Sequence, residues 1–293
     1  MIRISVTALL LAVALFSSAC FRTSAVVKIK EDGSGEITSR YYFSPQVLET
    51  VNQMEALRGF QADGDVPELM ANLGMLREIV SPDKDALVAD AESYGEGVSY
   101  ARHEKGADSE GWDGYTVVYQ FEDIRKLKLN QNTIPAKAKD FVKASGQDID
   151  LDEGGSLSFQ LEGKKLTVTS TLASASADEM VDEEQLAAAK EMGIKPSESI
   201  RAAAASMEGM RAGIFLRIVP EIAETDAEHV TGNLIIMSDA ELSKVMQDPD
   251  FIDFIDKIVE DPDAMTDESV KELFGKIEAM TIELSDEIMV MFP

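Results

Sequence analysis

The chain of 293 residues holds one cysteine, one tryptophan and two histidines, and only 27 basic residues against 54 acidic ones. Each shortage excludes something. A lone thiol, Cys20, forms no disulfide within the chain, so folding rests on the core alone. His103 and His229 fall short of the three or four nitrogen or sulfur ligands of a zinc site unless carboxylates join them. A formal charge of −27 repels phosphate backbones, which proteins grip through lysine and arginine clusters, so no nucleic-acid partner is expected. The early apolar run from Val6 to Phe16 is too short for a bilayer, which takes about 20 residues. The sequence also lacks HExxH, GxSxG, a phosphate loop and GxGxxG, the patterns that seat zinc, nucleophilic serine and nucleotide chemistry. No cofactor is expected, and 54 acids are too many for any one pair to be singled out for glycoside cleavage.

What is present begins with Arg3, the only early charge, followed by that apolar run and then Phe16-Ser17-Ser18-Ala19-Cys20. A basic start, an apolar centre and small residues at the exit predict a secretory signal over residues 1 to 19. Ser17 and Ala19 suit an ordinary signal peptidase, whereas a cysteine in the next position is what a lipoprotein peptidase requires. FSSAC resembles the bacterial lipobox, with Ser17 standing where that pattern prefers leucine. The resemblance implies that Cys20 becomes a lipid-modified N-terminus. Several acyl chains would then hold the protein to a membrane, because one chain alone binds marginally. Phe21, rather than aspartate, after the cysteine implies the outer membrane, with the body facing the periplasm. The alternative is an exported soluble protein with a spare thiol in an oxidising compartment.

The hydrophobic share of 45% supports an ordinary core. VVKIK (26 to 30) and EITSRYYF (36 to 43) flank a glycine turn, GVSYARHE pairs with YTVVYQFE, and SLSFQL pairs with KLTVTS across Glu162-Gly163-Lys164. IFLRIVP (214 to 220) pairs with HVTGNLIIM (229 to 237). Each shows the period-two alternation of a hairpin. YTVVYQF is apolar on both faces and is expected to be a central strand. Ser44-Pro45 opens a helix, Ser238 to Glu241 reads as a capping box, Pro249 and Thr266 precede two more helices, and Met280 to Phe292 is strand-like. The fold class is therefore α+β: an antiparallel or mixed sheet built from several hairpins, each followed by a helix, with the helices mainly on one face. It is expected as a single domain over 20 to 293, with a helical portion over 238 to 281.

VVKIKEDGSGEITSRYYF just after the lipobox, and ETDAEHVTGNLIIM followed by a helix, resemble bacterial lipoproteins that carry an LppM-like domain. The resemblance covers the first mature residues and a stretch near 211 to 242. It implies an envelope-anchored α+β domain and assigns no catalytic residue.

Three further features bear on chemistry. Asp148, Asp150 and Asp152 alternate like the first half of a calcium loop, but Glu153 and Phe159 stand where such a loop needs glycine and glutamate, so an acidic turn before a hairpin is the expected account. Ser99 and His103 fall on one side of a strand by simple alternation. Met180, Met192, Met207 and Met210 read as core, or as a groove for a peptide or lipid if they lie exposed. The expectation is a lipid-anchored envelope lipoprotein, not an enzyme, whose body binds or scaffolds an envelope protein or ligand. The alternatives are a periplasmic carrier of a hydrophobic ligand, or a hydrolase whose site the sequence does not display.

Overall fold

The structure, a computed structural model, describes residues 21–57, 77–130, 155–171 and 207–293 except 262, 263 and 265, with a few positions between 197 and 205. In chain order the strands are β1 (Phe21–Lys30), β2 (Gly35–Phe43), β3 (Ser99–Ala107), β4 (Asp113–Phe121), β5 (Leu129–Asn130), β6 (Ser156–Glu162), β7 (Lys165–Ser170), β8 (Arg211–Val219), β9 (Glu224–Thr225), β10 (Val230–Thr231), β11 (Leu234–Glu241), β12 (Met280–Ile282) and β13 (Glu287–Met291). The helices are α1 (Pro45–Leu57), α2 (Lys84–Asp90), α3 (Leu242–Val245), α4 (Pro249–Glu260) and α5 (Asp267–Phe274).

Hydrophobic alternation builds the first layer. In β1, Ala25, Val27 and Ile29 are buried while Ser24, Val26 and Lys28 are half-buried, and β2 repeats the pattern with Ile37, Ser39, Tyr41 and Phe43 inside. The turn between them needs Gly33, whose φ of +81° is the left-handed conformation that glycine takes at no steric cost. The resulting sheet runs β10-β11-β8-β1-β2-β4-β3, with β12 added beside β11. All its neighbours are antiparallel except β1 and β8, which run parallel. β4 lies between β2 and β3, the interior place that its two apolar faces predict.

The architecture is α+β, with its strands divided between two sheets. The third hairpin, β6 and β7, belongs to a smaller antiparallel sheet of order β5-β6-β7-β13-β9. One core lies between them: Val27, Ile37, Tyr119 and Leu216 of the first sheet pack in the same cluster as Phe159, Leu166, Val168 and Val290 of the second. The segment expected as one strand from Met280 is broken at Glu283 to Asp286, so that β12 joins the large sheet and β13 the small one. Glu283 is fully buried at this crossing. Its carboxylate accepts hydrogen bonds from the amides of Glu228 at 2.8 Å and Ser285 at 3.2 Å, which supplies partners to backbone groups that would otherwise be stranded.

Helix starts follow the sequence signals at Ser44, Pro249 and Thr266. The Ser44 hydroxyl accepts from the Val47 amide, Asp248 from Asp250, and Thr266 forms a reciprocal box with Ser269. The box expected at Ser238 to Glu241 is absent. Those residues continue β11, pairing with β8 on one side and, over Ser238 to Ala240, with β12 on the other, and α3 starts only at Leu242. Two ladders of backbone hydrogen bonds outweigh one side-chain cap.

Candidate functional site

A charged concavity lies on the outward side of the large sheet, at the Phe21 end of β1. It is a cleft of about 510 Å³ lined by Arg22, Ser24, Arg40, Tyr42, Arg211 and Phe215, with Asp108, Glu110, Asp239, Glu241 and Lys244 at its walls. The register explains the grouping. Arg22 pairs with Tyr42 on one side and Arg211 on the other, and Ser24 pairs with Arg40 and Gly213, so these side chains share one face of the sheet. Four cations thus converge in a chain whose acids outnumber its bases two to one.

Three of the four are engaged. Arg22 donates from Nε to the Gly209 carbonyl at 3.0 Å, from Nη1 to Asp108 at 2.9 Å and from Nη2 to Glu110 at 2.7 Å, and its guanidinium lies 4.1 Å from the centre of the Trp112 ring. The loop receiving it is itself fixed: Asp108 Oδ1 accepts from the amides of Glu110 and Trp112. On the other side Gly209, at φ +80°, packs so closely that a Cβ would come within 2.8 Å of the indole. Burial opposes the charge on Asp108, but the Trp112 and Glu110 amides and the Arg22 guanidinium outweigh it and hold the carboxyl below its ordinary value. Arg211 grips Asp239 with both arms of its fork, and Lys244 meets Glu241 at 2.9 Å. Arg40, half-buried on β2, makes no hydrogen bond or ion pair among the described residues.

A second polar group sits inside the core. Tyr119 donates to Asp90 Oδ2 at 3.0 Å, and the Tyr94 hydroxyl lies 3.2 Å from those of both Ser39 and Tyr41. The rings stack in tilted pairs, Tyr41 on Tyr115 and Tyr94 on Tyr119. The Tyr115 hydroxyl is buried without a hydrogen-bond partner among the described residues. Burial, reinforced by the Asp90 charge, pushes Tyr94 up to about 12 and raises Tyr115 and Tyr119 further. Burial thus holds these phenols neutral well above their ordinary range.

The residues singled out from the sequence are dispersed. His103 is on β3 and His229 adjoins β10, the opposite edges of the large sheet, so they cannot share a metal ion. His103 Nδ1 instead lies 2.8 Å from the Tyr100 hydroxyl. Ser99 and His103 do not share a face either. A bulge between Tyr100 and Arg102 shifts the register, leaving Ser99 opposite Gln120 and His103 opposite Val117, and one extra residue reverses the alternation. Met210 is buried and Met207 half-buried. Cys20, Asp148, Asp150, Asp152, Met180 and Met192 lie outside the described residues. Among the described residues no three histidine, cysteine, aspartate or glutamate side chains group as a metal site, and no helix is long and apolar enough to cross a membrane. Sequence reasoning missed Arg22, Arg40 and Arg211. Arg22 with Ser24 on β1, and Arg40 with Tyr42 on β2, each mark one face by a spacing of two, but nothing local marks that β8 lies beside β1.

No family model matches the chain, and no curated protein matches it. Among solved structures it is similar to the NMR structure of the folded domain of the Mycobacterium tuberculosis LppM protein, a lipoprotein domain, at 12% identity over 75% of this chain and 81% of that one, with a TM-score of 0.28. At that score the likeness carries no argument about this chain.

Proposed function

We propose that the chain is a lipid-anchored protein of the cell envelope, held at the outer membrane with its body in the periplasm, where it binds or scaffolds a partner without catalysing a reaction. The observation that carries this reading is FSSAC at residues 16 to 20, whose terminal cysteine is the only one in the chain. Phe21, next to Cys20 in sequence, lies in β1, so a lipid on Cys20 would lie near that end of the large sheet. An acidic body gains nothing from an anionic bilayer surface, which leaves the acyl chains to provide attachment. The part suited to a partner is the charged cleft at that same end of the sheet.

Replacing Cys20 by serine tests the anchor. The wild-type chain should fractionate with membranes and be released only by detergent, and its mature mass should include acyl chains on Cys20. The variant should be soluble or retain its signal. A wild-type protein that is soluble and starts at an unmodified Cys20 would refute the reading.

A further inference from the structure

The four cations and four carboxylates of the cleft cancel in number but not in pairing. Arg22 is matched by two carboxylates, Asp108 and Glu110, Arg211 by Asp239, and Lys244 by Glu241. Arg40 is left over, in the same cleft and without a partner among the described residues. Around it stand hydroxyls rather than further carboxylates. Ser24 is its direct cross-strand neighbour on β1, and Tyr42 is two residues along β2 on the same face. Both line the cleft. Neither Ser24 nor Arg40 is engaged by another side chain among the described residues, and Tyr42 makes only a long contact of 3.5 Å with Thr116. On the other side of β2, Arg40 faces Thr116, again a hydroxyl.

A half-buried guanidinium beside free hydroxyls is an arrangement of donors waiting for an acceptor. Guanidinium presents a planar fork that fits two oxygens of a phosphate or carboxylate at once, and hydroxyls turn to donate to the remaining oxygens. We infer that Arg40, Ser24 and Tyr42 form an oxyanion subsite, which takes a phosphate or carboxylate group either free or on the headgroup of an amphiphile. The Arg22 clamp on one flank and the Arg211 clamp on the other hold the walls, so the subsite is formed before the ligand arrives. The bulk field of an acidic protein repels anions, and recognition here is therefore short-range. The inference deepens the binding-domain reading and rests on it.

The test uses the chain from residue 20 onward with Cys20→Ser, which carries no acyl chains that would themselves bind vesicles. Inorganic phosphate and acetate are titrated while the backbone amide signals of Ser24 and Tyr42 are followed by nuclear magnetic resonance, and sedimentation with phosphatidylcholine vesicles is compared with and without phosphatidylglycerol. Saturable binding of a free anion, weakened tenfold or more in Arg40→Gln and less in Arg40→Lys, which keeps the charge but loses the fork, supports the subsite and a free ligand. Binding only to the phosphatidylglycerol vesicles, with the same dependence on Arg40, supports it with a headgroup as the source. No binding in either arm, or binding unchanged in Arg40→Gln, overturns it. Should Arg40→Gln fail to fold, Arg40→Lys and Ser24→Ala carry the comparison. The anchor and the subsite fail separately: loss of oxyanion binding leaves the fractionation of the Cys20 variant untouched, and a soluble wild type leaves the titration standing.

Discussion

At the scale of single residues, the two polar groups differ in whether their donors are satisfied. Tyr119 has Asp90, whereas Tyr115 has no partner among the described residues, and a buried unsatisfied hydroxyl costs about 1–3 kcal/mol. Tyr115→Phe should therefore raise the urea midpoint by the equivalent of about 1 kcal/mol, while Tyr119→Phe should lower it by a similar amount. A loss from Tyr115→Phe would mean that its hydroxyl has a partner after all. The same tyrosines set an alkaline limit. Tyr94 is raised from 10.0 to about 12, so the folded state holds its proton where the unfolded chain releases it. That stability is complete below pH 10 and disappears as the pH climbs towards 12, and tyrosinate absorbance from the buried rings should appear together with unfolding. Asp108 behaves oppositely. Its carboxyl is held below the ordinary value of 3.8, so its contribution is present above that pH and is lost as acidification passes through the lowered value. Trp112, the only tryptophan, reports on it. Its fluorescence should shift as acid releases the Arg22 clamp, and Arg22→Ala should produce the same shift at neutral pH at a cost of about 1 kcal/mol.

At the scale of elements, the crossing at Glu283 is the sharpest test. Glu283→Ala removes the acceptor of the part-buried amides of Glu228 and Ser285 and should cost about 1 kcal/mol or more. Glu283→Gln keeps one acceptor oxygen and should cost less. Hydrogen exchange at those two amides distinguishes a local opening from global loss. Elements such as this mark the limit of what was legible in the sequence. Hairpins were readable because alternation and turn glycines are local signals, as in Val26 to Phe43 and Leu157 to Leu166. The division into two sheets was not, since Leu166 and Val168 alternate in the same way whether their neighbour is β13 or a strand of the large sheet. The capping residues at 238 to 241 were legible but misleading, because tertiary pairing with β8 and β12 overrode a local preference. The cleft was illegible for a related reason. Arg22, Arg40 and Arg211 come from three strands, and only the parallel pairing of β1 with β8 brings the third beside the other two.

At the scale of the whole molecule, charge is unevenly placed between the two ends of the large sheet. The β1 entry end holds the arginine cleft, while the turn end gathers Glu31, Asp32, Glu96, Glu122 and Asp123 around Arg125 and Lys126. An anchor at Cys20 would turn the arginine end towards the bilayer and the acidic end away from it. A second consequence concerns time. β1 precedes the other described strands in the chain, yet it occupies the middle of its sheet, and its parallel partner β8 follows only after residue 210. β13, which pairs with both β7 and β9 to complete the small sheet, comes later still. Such non-local pairing is slow to form, and until β8 arrives β1 has an edge with no mate. On the export reading proposed above, a polypeptide arranged in this order would close its two sheets only once nearly all of it had reached the far side.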